Sequence, residues 1–357
     1  MKLVTERFSV AKRHALTISR GTSTGSENLL VTIEHQGITG YGEMAPTSGG
    51  AVAETAEMAA SALERWRPSI ECATPWEWQR INAEICKIDS MYICPAARAG
   101  LNMAVWDWMG KATSRPVYCL LGLDLDRIVH TSVTVGINPP AVVEERVADI
   151  LLRTGARRLK VKLGSPDGLD TDKRILAAAL NAAECVYEEI GYRPAFRVDA
   201  NGGWDVPGTL AMADWLAERG VEYIEQPIAR GKEALYSQLT GKCALPVYSD
   251  ESICIAADIP PLAPYIAGIN IKLMKCGGIS EALNMIGTAR AHGLRIMYGC
   301  MSETSLSITA AAQISPLADE LDLDSHLNLN PDPWTGAQWQ DGRVVPNNTP
   351  GLGVARR

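Results

Sequence analysis

Arg158-Leu-Lys-Val-Lys162 begins a series of short apolar runs, each of which ends on a polar group. Ala195-Phe-Arg-Val-Asp199, Tyr223-Ile-Glu225, Val247-Tyr-Ser-Asp250 and Gly268-Ile-Asn-Ile-Lys272 continue it, and Leu321-Asp-Leu-Asp324 closes it. End residues 162, 199, 225, 250 and 272 stand 37, 26, 25 and 22 positions apart, the length of a strand, a helix and two short loops. Helical stretches over Pro139–Arg153, Thr171–Glu189 and Pro207–Arg219 separate the runs, and Thr131–Val135 and Arg295–Tyr298 extend the alternation at either end. Strand and helix in strict turn give right-handed βαβ units and a parallel sheet. About eight such units favour a closed α/β barrel over an open sheet, and a barrel builds its site at the C-terminal ends of its strands.

Outward from this series the pattern changes. Residues 1–45 read as β, with Leu29–Glu34 turning through His35-Gln-Gly37 into Ile38–Glu43. Ala51–Trp66 and Ala96–Trp108 carry helical spacing. Three segments result: an α+β unit over 1–125, the barrel over 126–326, and an Asn-, Pro- and Gly-rich segment over 327–357. The last contains Gly342-Arg-Val-Val345 and is expected to return to the first unit. Thr17–Glu27, rich in Gly, Ser and Thr, is expected to be a mobile lid. Trp66, Trp76, Trp78 and Trp204 are assigned to packing.

A net charge of −7 among 357 residues excludes nucleic acid as a partner, since phosphate binding needs a basic field. Nine scattered cysteines without a C-x-x-C pair read as buried free thiols. The first residues lack a signal-peptide pattern, and no apolar run is long enough to span a bilayer. A cytoplasmic protein with no membrane partner is expected.

Asp199, Glu225 and Asp250, at three consecutive strand ends, would repel one another around a barrel rim. A hard divalent cation resolves that, and Mg²⁺ suits carboxylate oxygens with positions left for substrate. The five histidines have no zinc-site spacing. Lys160 and Lys162, at i and i+2, share a strand face and point into the barrel mouth. Mutual repulsion and a cation would bring their pKa values down toward those of a general base. Lys272 ends a strand on the far side of the ligands, while Lys275 reads as a surface or supporting charge. A base on each side of a substrate carboxyl is what a racemase or epimerase needs.

With these residues quoted, the chain resembles the enolase superfamily, in its muconate-lactonizing enzyme subgroup, over essentially its whole length. The K-x-K strand, D-x-N, E-Q-P and D-E-S segments, and Lys272 followed by Cys276-Gly-Gly278 carry the resemblance. It implies a (β/α)7β modified TIM barrel under an N-terminal α+β capping domain completed by the C-terminal segment. It further implies catalytic Lys162 and Lys272 assisted by Lys160, Mg²⁺ on Asp199, Glu225 and Asp250, and a homo-oligomer. Lysine bases with Mg²⁺ are general to this superfamily.

Asp322 and Asp324 select among the subgroup's reactions. Read as one face of the last strand, they suit a substrate ammonium and match the D-x-D segment of dipeptide epimerases. Gly299-Cys-Met-Ser-Glu-Thr-Ser305 resembles the same family. The reading is a Mg²⁺-dependent dipeptide epimerase that inverts the α-carbon of the C-terminal residue by two-lysine proton transfer through an enediolate. Thr134, Asn201 and Ser302 complete the substrate-contact candidates, and Arg20 is expected to pair with an acidic C-terminal side chain. His326 receives no role. The alternatives are a muconate cycloisomerase, an o-succinylbenzoate synthase or N-acylamino acid racemase on the same fold. A Schiff-base aldolase and a non-catalytic metal-binding protein come after these.

Overall fold

The computed structural model describes residues 1–48 and 53–357. β1 (Lys2–Ile18) and β2 (Gly21–His35) form a long antiparallel hairpin, and β3 (Ile38–Met44) pairs with β2. Helix Pro95–Ala112 lies against β3 at very short range. A Cβ on Gly40 would come to 2.1 Å from the Ala104 carbonyl oxygen, and one on Gly42 to 1.9 Å from that of Gly100. Small residues on both elements therefore set their spacing. The start of the helix expected from Ala51 lies outside the described residues; the helix runs Ala56–Glu71 and is capped by the Thr55 side chain.

Eight parallel strands follow: β4 (Ser132–Val135), β5 (Arg158–Lys162), β6 (Ala195–Asp199), β7 (Val221–Glu225), β8 (Val247–Ser249), β9 (Gly268–Ile271), β10 (Arg295–Tyr298) and β11 (Glu320–Leu321). They are ordered in sequence around the sheet. Thr131 pairs in parallel with Leu321 and closes the barrel, aided by the Leu323 amide, which donates to the Thr131 hydroxyl at 2.7 Å. Seven crossovers and a final bare strand give the (β/α)7β pattern.

Two of those crossovers differ from the spacing argument. Short 3-10 or one-turn pieces, Glu233–Gln238 after β7 and those within 256–265 after β8, replace full helices. The intervals before Asp250 and Lys272 are filled mostly by loop.

A salt-bridged layer plugs the barrel below the site. Arg197 is fully buried and donates to Glu320 at 2.7 Å and to the Ser132 hydroxyl at 2.7 Å. Arg158 and Arg295 reach the same glutamate. The capping-unit core continues through β9–β11, whereas β4–β7 enclose a second apolar cluster.

After β11 the chain adds β12 (Trp334–Thr335), β13 (Gln338–Gln340), β14 (Arg343–Val345) and β15 (Ala355–Arg356). Trp334 packs on Tyr41 at 5.3 Å, the Leu352 amide donates to buried Asp107, and Arg356 pairs with Glu6 at 2.7 Å. These contacts return the C-terminal segment to the first unit.

Three further readings need correction. Thr17–Glu27 is not an open loop. Thr17 pairs with Thr22 and Ile18 with Gly21, so it is the tip of the β1–β2 hairpin, beyond a bulge between Ala11 and Leu16. Asp322 and Asp324 lie just past β11 rather than within a strand. All nine cysteines are free, but only Cys94 and Cys276 are buried; Cys72, Cys86, Cys119 and Cys185 are exposed at element ends. Of the packing tryptophans, Trp66 and Trp204 are buried, and Trp76 is exposed with its edge against Trp108.

Candidate functional site

The C-terminal ends of β5 to β9 bring the polar series to one place. Asp199 ends β6, Glu225 ends β7, and Asp250 follows β8. The carboxylate oxygens of all three lie within 4.8 Å of one another, and all three residues are buried. Two backbone reversals shape the rim behind them. Asn201 and Gln226 adopt left-handed φ values of 44° and 37°, which turns the chain sharply after each carboxylate. Asn201 then donates to Asp199 at 3.1 Å, and the Gln226 side-chain oxygen accepts the Asp250 amide at 2.8 Å.

Four lysines, Lys160, Lys162, Lys272 and Lys275, pair with the triad, but unevenly. Burial, and after it the charge of Asp199, pushes Glu225 up to about 7. Burial also opposes charge on Asp250, but Lys272 and Lys275 outweigh it and hold that carboxyl well below the usual range. Three converging carboxylate oxygens, with Glu225 held partly protonated by burial and by its crowding against Asp199, fit a hard divalent cation.

Lys162 and Lys272 flank the triad. Lys162 donates to Asp199 at 2.5 Å, and Lys272, one residue beyond β9, donates to Asp250 at 2.7 Å. Both line a cavity of about 550 Å³ under the β1–β2 hairpin tip. Lys160 is placed differently from the sequence reading. It lies deeper, fully buried, and bonds Asp322 and Glu225 instead of lining the cavity. Burial disfavours its charge, but Asp322, Glu225 and Asp199 more than offset this, so its pKa is raised, not lowered. Lys272 is raised for the same reason, chiefly by Asp250 against burial. Each of these two lysines rests on a carboxylate, and that contact dominates the mutual repulsion of the ammoniums.

Lys275 is a buried support rather than a surface charge. Its ammonium donates to the Asp250 carboxylate at 2.5 Å and to the carbonyls of Asp250, Ile253 and Asn270. Asn270 escaped the sequence reading and donates to Glu225 at 2.6 Å. Its position two residues before Lys272, on the same strand face, was the available signal. Gly299 makes room for this pair, because a Cβ there would lie 2.7 Å from the Asn270 side-chain oxygen and 3.0 Å from Lys272 Cε.

Asp322 and Asp324 meet across Thr134. The Thr134 amide donates to Asp324 at 2.6 Å and its hydroxyl lies 3.3 Å from Asp322. Desolvation in the cleft, followed by the charge of Asp322, pushes Asp324 up to about 6, and it has no ion-pair partner among the described residues. Thr134, Asn201, Ser302, Asp322, Asp324 and Arg20 all line the cavity.

Arg20 does not point a free cation at the cavity. Its guanidinium donates to Glu251 at 2.6 Å and to the Asn201 carbonyl at 3.0 Å, and Ser19 donates to the same carbonyl. The pair anchors the hairpin tip over the metal-side rim. His326 lies outside the cavity lining, and burial pushes it down to about 4.

Comparison with known proteins agrees with this geometry. Residues 3–122 match the mandelate racemase / muconate lactonizing enzyme N-terminal domain, and residues 142–356 match the enolase C-terminal domain-like family. The hydrophobic dipeptide epimerase of Roseobacter litoralis is 46% identical over 359 residues, covering 99% of this chain and 98% of that protein. The L-Ala-D/L-Glu epimerase of Bacteroides thetaiotaomicron is 33% identical, covering 100% of this chain and 88% of its own. Among solved structures, the Enterococcus faecalis dipeptide epimerase complexed with Mg and L-Leu-L-Tyr superposes with a TM-score of 0.89 at 29% identity over 99% of both chains. The Methylococcus capsulatus dipeptide epimerase, complexed with Mg and L-Arg-D-Lys, gives 0.86 at 30% identity over 99% of both chains.

Proposed function

The chain belongs to the mandelate racemase / muconate lactonizing enzyme family of the enolase superfamily, and on that premise we propose that it is a Mg²⁺-dependent dipeptide epimerase acting at the α-carbon of the C-terminal residue. The observation that carries this is Asp324. It is a desolvated carboxylate in the cavity, bonded by the Thr134 amide but without a salt-bridge partner among the described residues, which the α-ammonium of a dipeptide would supply. A muconate or an N-acylated amino acid has no ammonium and would leave that charge unmet.

Mg²⁺ would be held by Asp199, Glu225 and Asp250, and when bound it supplies a positive charge beside the substrate carboxylate, acidifying the α-proton. The chain's own groups do the rest. Lys162 and Lys272 approach from opposite sides, with β6 to β8 between them. One takes the α-proton as the neutral amine, and the other returns a proton to the opposite face as the ammonium. Lys160 ties Asp322 to Glu225 and so links the ammonium end of the site to the metal end. The hairpin tip anchored by Arg20 covers the site and limits access of water.

The test is α-proton exchange in D₂O with L,L-dipeptides and Mg²⁺, followed by mass spectrometry and chiral chromatography. Lys162→Ala is expected to exchange from one stereoisomer only, without inversion. Equal exchange from both isomers in that variant would rule out the two-lysine pathway. Absence of exchange in the wild-type protein across a broad dipeptide library would rule out the function.

A further inference from the structure

The cavity does not end at Asp324. It continues past Thr134 along Val135 and Gly136 to Asn138 and the helix Pro140–Thr154. Gly136 lies two residues, roughly 7 Å, beyond Thr134. Leu16, Ile150 and Leu327 form an apolar wall in this outer lobe. Its lining carboxylates, Asp250, Glu251, Asp322 and Asp324, share the barrel end with Lys162, Lys272 and Arg20. From the hairpin and the helix Pro140–Thr154 the lining adds Lys12, Arg146 and Arg153, with Lys12 near enough to Asp324 to feel its charge.

Two of those cations lack a salt-bridge partner among the described residues. Arg146 Nη1 is buried with no hydrogen-bond partner among them. The Lys12 ammonium donates, among them, only to the Ser23 hydroxyl, at 2.9 Å. By contrast, Arg153 is occupied by Asp149 at 3.3 Å. Lys12 is also desolvated enough for its pKa to be lowered, even though Asp324 and Cys300 push it the other way. An apolar side chain filling the lobe would leave Arg146 Nη1 dry and unbonded, which is costly for a charged donor. An acidic side chain would satisfy it.

We propose, resting on the dipeptide reading above, that the preferred substrate carries an acidic side chain, Glu or Asp, on its N-terminal residue, recognised by Arg146 and Lys12. With the ammonium at Asp322 and Asp324, the N-terminal residue stands where the cavity turns into the outer lobe. Its methylene groups lie along Leu16, Ile150 and Leu327, and its carboxylate meets the two cations.

The experiment measures exchange kinetics of the full-length protein with Mg²⁺ on L-Glu-L-Leu, L-Gln-L-Leu, L-Leu-L-Leu and L-Ala-L-Leu. L-Glu-L-Leu is expected to exceed L-Gln-L-Leu by about 10- to 100-fold in kcat/KM, the size of a charge-assisted contact. In Arg146→Leu that ratio should fall toward one, in Arg146→Lys it should persist in part, and Lys12→Met should reduce it independently. Because the readout is a ratio within one variant, a general loss of folding or activity does not produce it. If the wild-type protein uses L-Gln-L-Leu or L-Leu-L-Leu as well as L-Glu-L-Leu, the inference is overturned and the epimerase reading stands. If none of the four exchanges but another dipeptide of the broad library does, the inference alone is overturned; if no dipeptide exchanges, both fall.

Discussion

Asp324→Asn should make the protein more stable and less active at once. The substitution keeps an oxygen to accept the Thr134 amide at 2.6 Å and removes only the charge. Desolvation and Asp322 raise the Asp324 pKa from 3.8 to about 6. A carboxylate with a raised folded-state pKa is stabilising when protonated, and its ionised form costs stability once pH exceeds the folded value. At pH 8 the asparagine removes that cost. A shift of about two units, discounted for partial exposure, corresponds to a gain on the order of 1–2 kcal/mol. The catalytic effect has the opposite sign. Losing the charge from an ammonium–carboxylate bond costs about 1.5–3 kcal/mol, or roughly 10- to 150-fold in kcat/KM. The assay pairs urea unfolding at pH 8 with α-proton exchange on a free dipeptide and on its Nα-acetyl derivative. The acetylated compound has no ammonium, so Asp324→Asn should change its rate by less than about threefold. An equal loss on both compounds, or stability falling together with activity, would refute the reasoning.

Three other outcomes follow from the geometry. Glu43, which accepts from the Thr304 and Ser307 amides and from Asn28, is raised by burial from 4.5 to about 7. Its protonated form favours the fold, so stability relative to Glu43→Gln should fall by about 3 kcal/mol as pH rises from 4.5 to 7 and then level off; an unfolding series that shows a constant difference would contradict this. Lys275→Met strips the Asp250 carboxylate and three carbonyls of their donor and should cost about 3–5 kcal/mol in urea unfolding, with a loss under 1 kcal/mol counting against its supporting role. Gly299→Ala forces a methyl to 3.0 Å from Lys272 Cε, and overpacking of about 1–3 kcal/mol should appear as at least a tenfold fall in kcat with an unaltered far-UV spectrum; wild-type turnover would show that the lysine relaxes freely.

Much of the barrel was legible because it is written locally. A parallel strand is an apolar run of about five residues, and the barrel presents whatever follows that run at its mouth. Asp199, Glu225, Asp250 and Lys272 could therefore be placed from their position alone, and i, i+2 identity put Lys160 and Lys162 on one face. The short 3-10 connections after β7 and β8 were not legible, since the same interval can hold a helix or a loop. Nor was the pairing across the hairpin tip at Thr17–Thr22, where Gly, Ser and Thr read as a loop until a partner strand is present.

The sequence by itself determined which residues end which strands, and with that the family and the carboxylate triad proposed to hold the metal. It also supplied every charge now found in the cavity. Tertiary structure decided how those charges pair. Lys160 lies below the cavity because Asp322 and Glu225 close on it from either side, and Arg20 is an anchor because Glu251 reaches it first. Arg146 and Lys12, distant in sequence and unremarkable there, come to line one cavity without a salt-bridge partner among the described residues only when the helix Pro140–Thr154 and the β1–β2 hairpin meet. Pairing depends on distance and desolvation, and closing the barrel under its cap creates both.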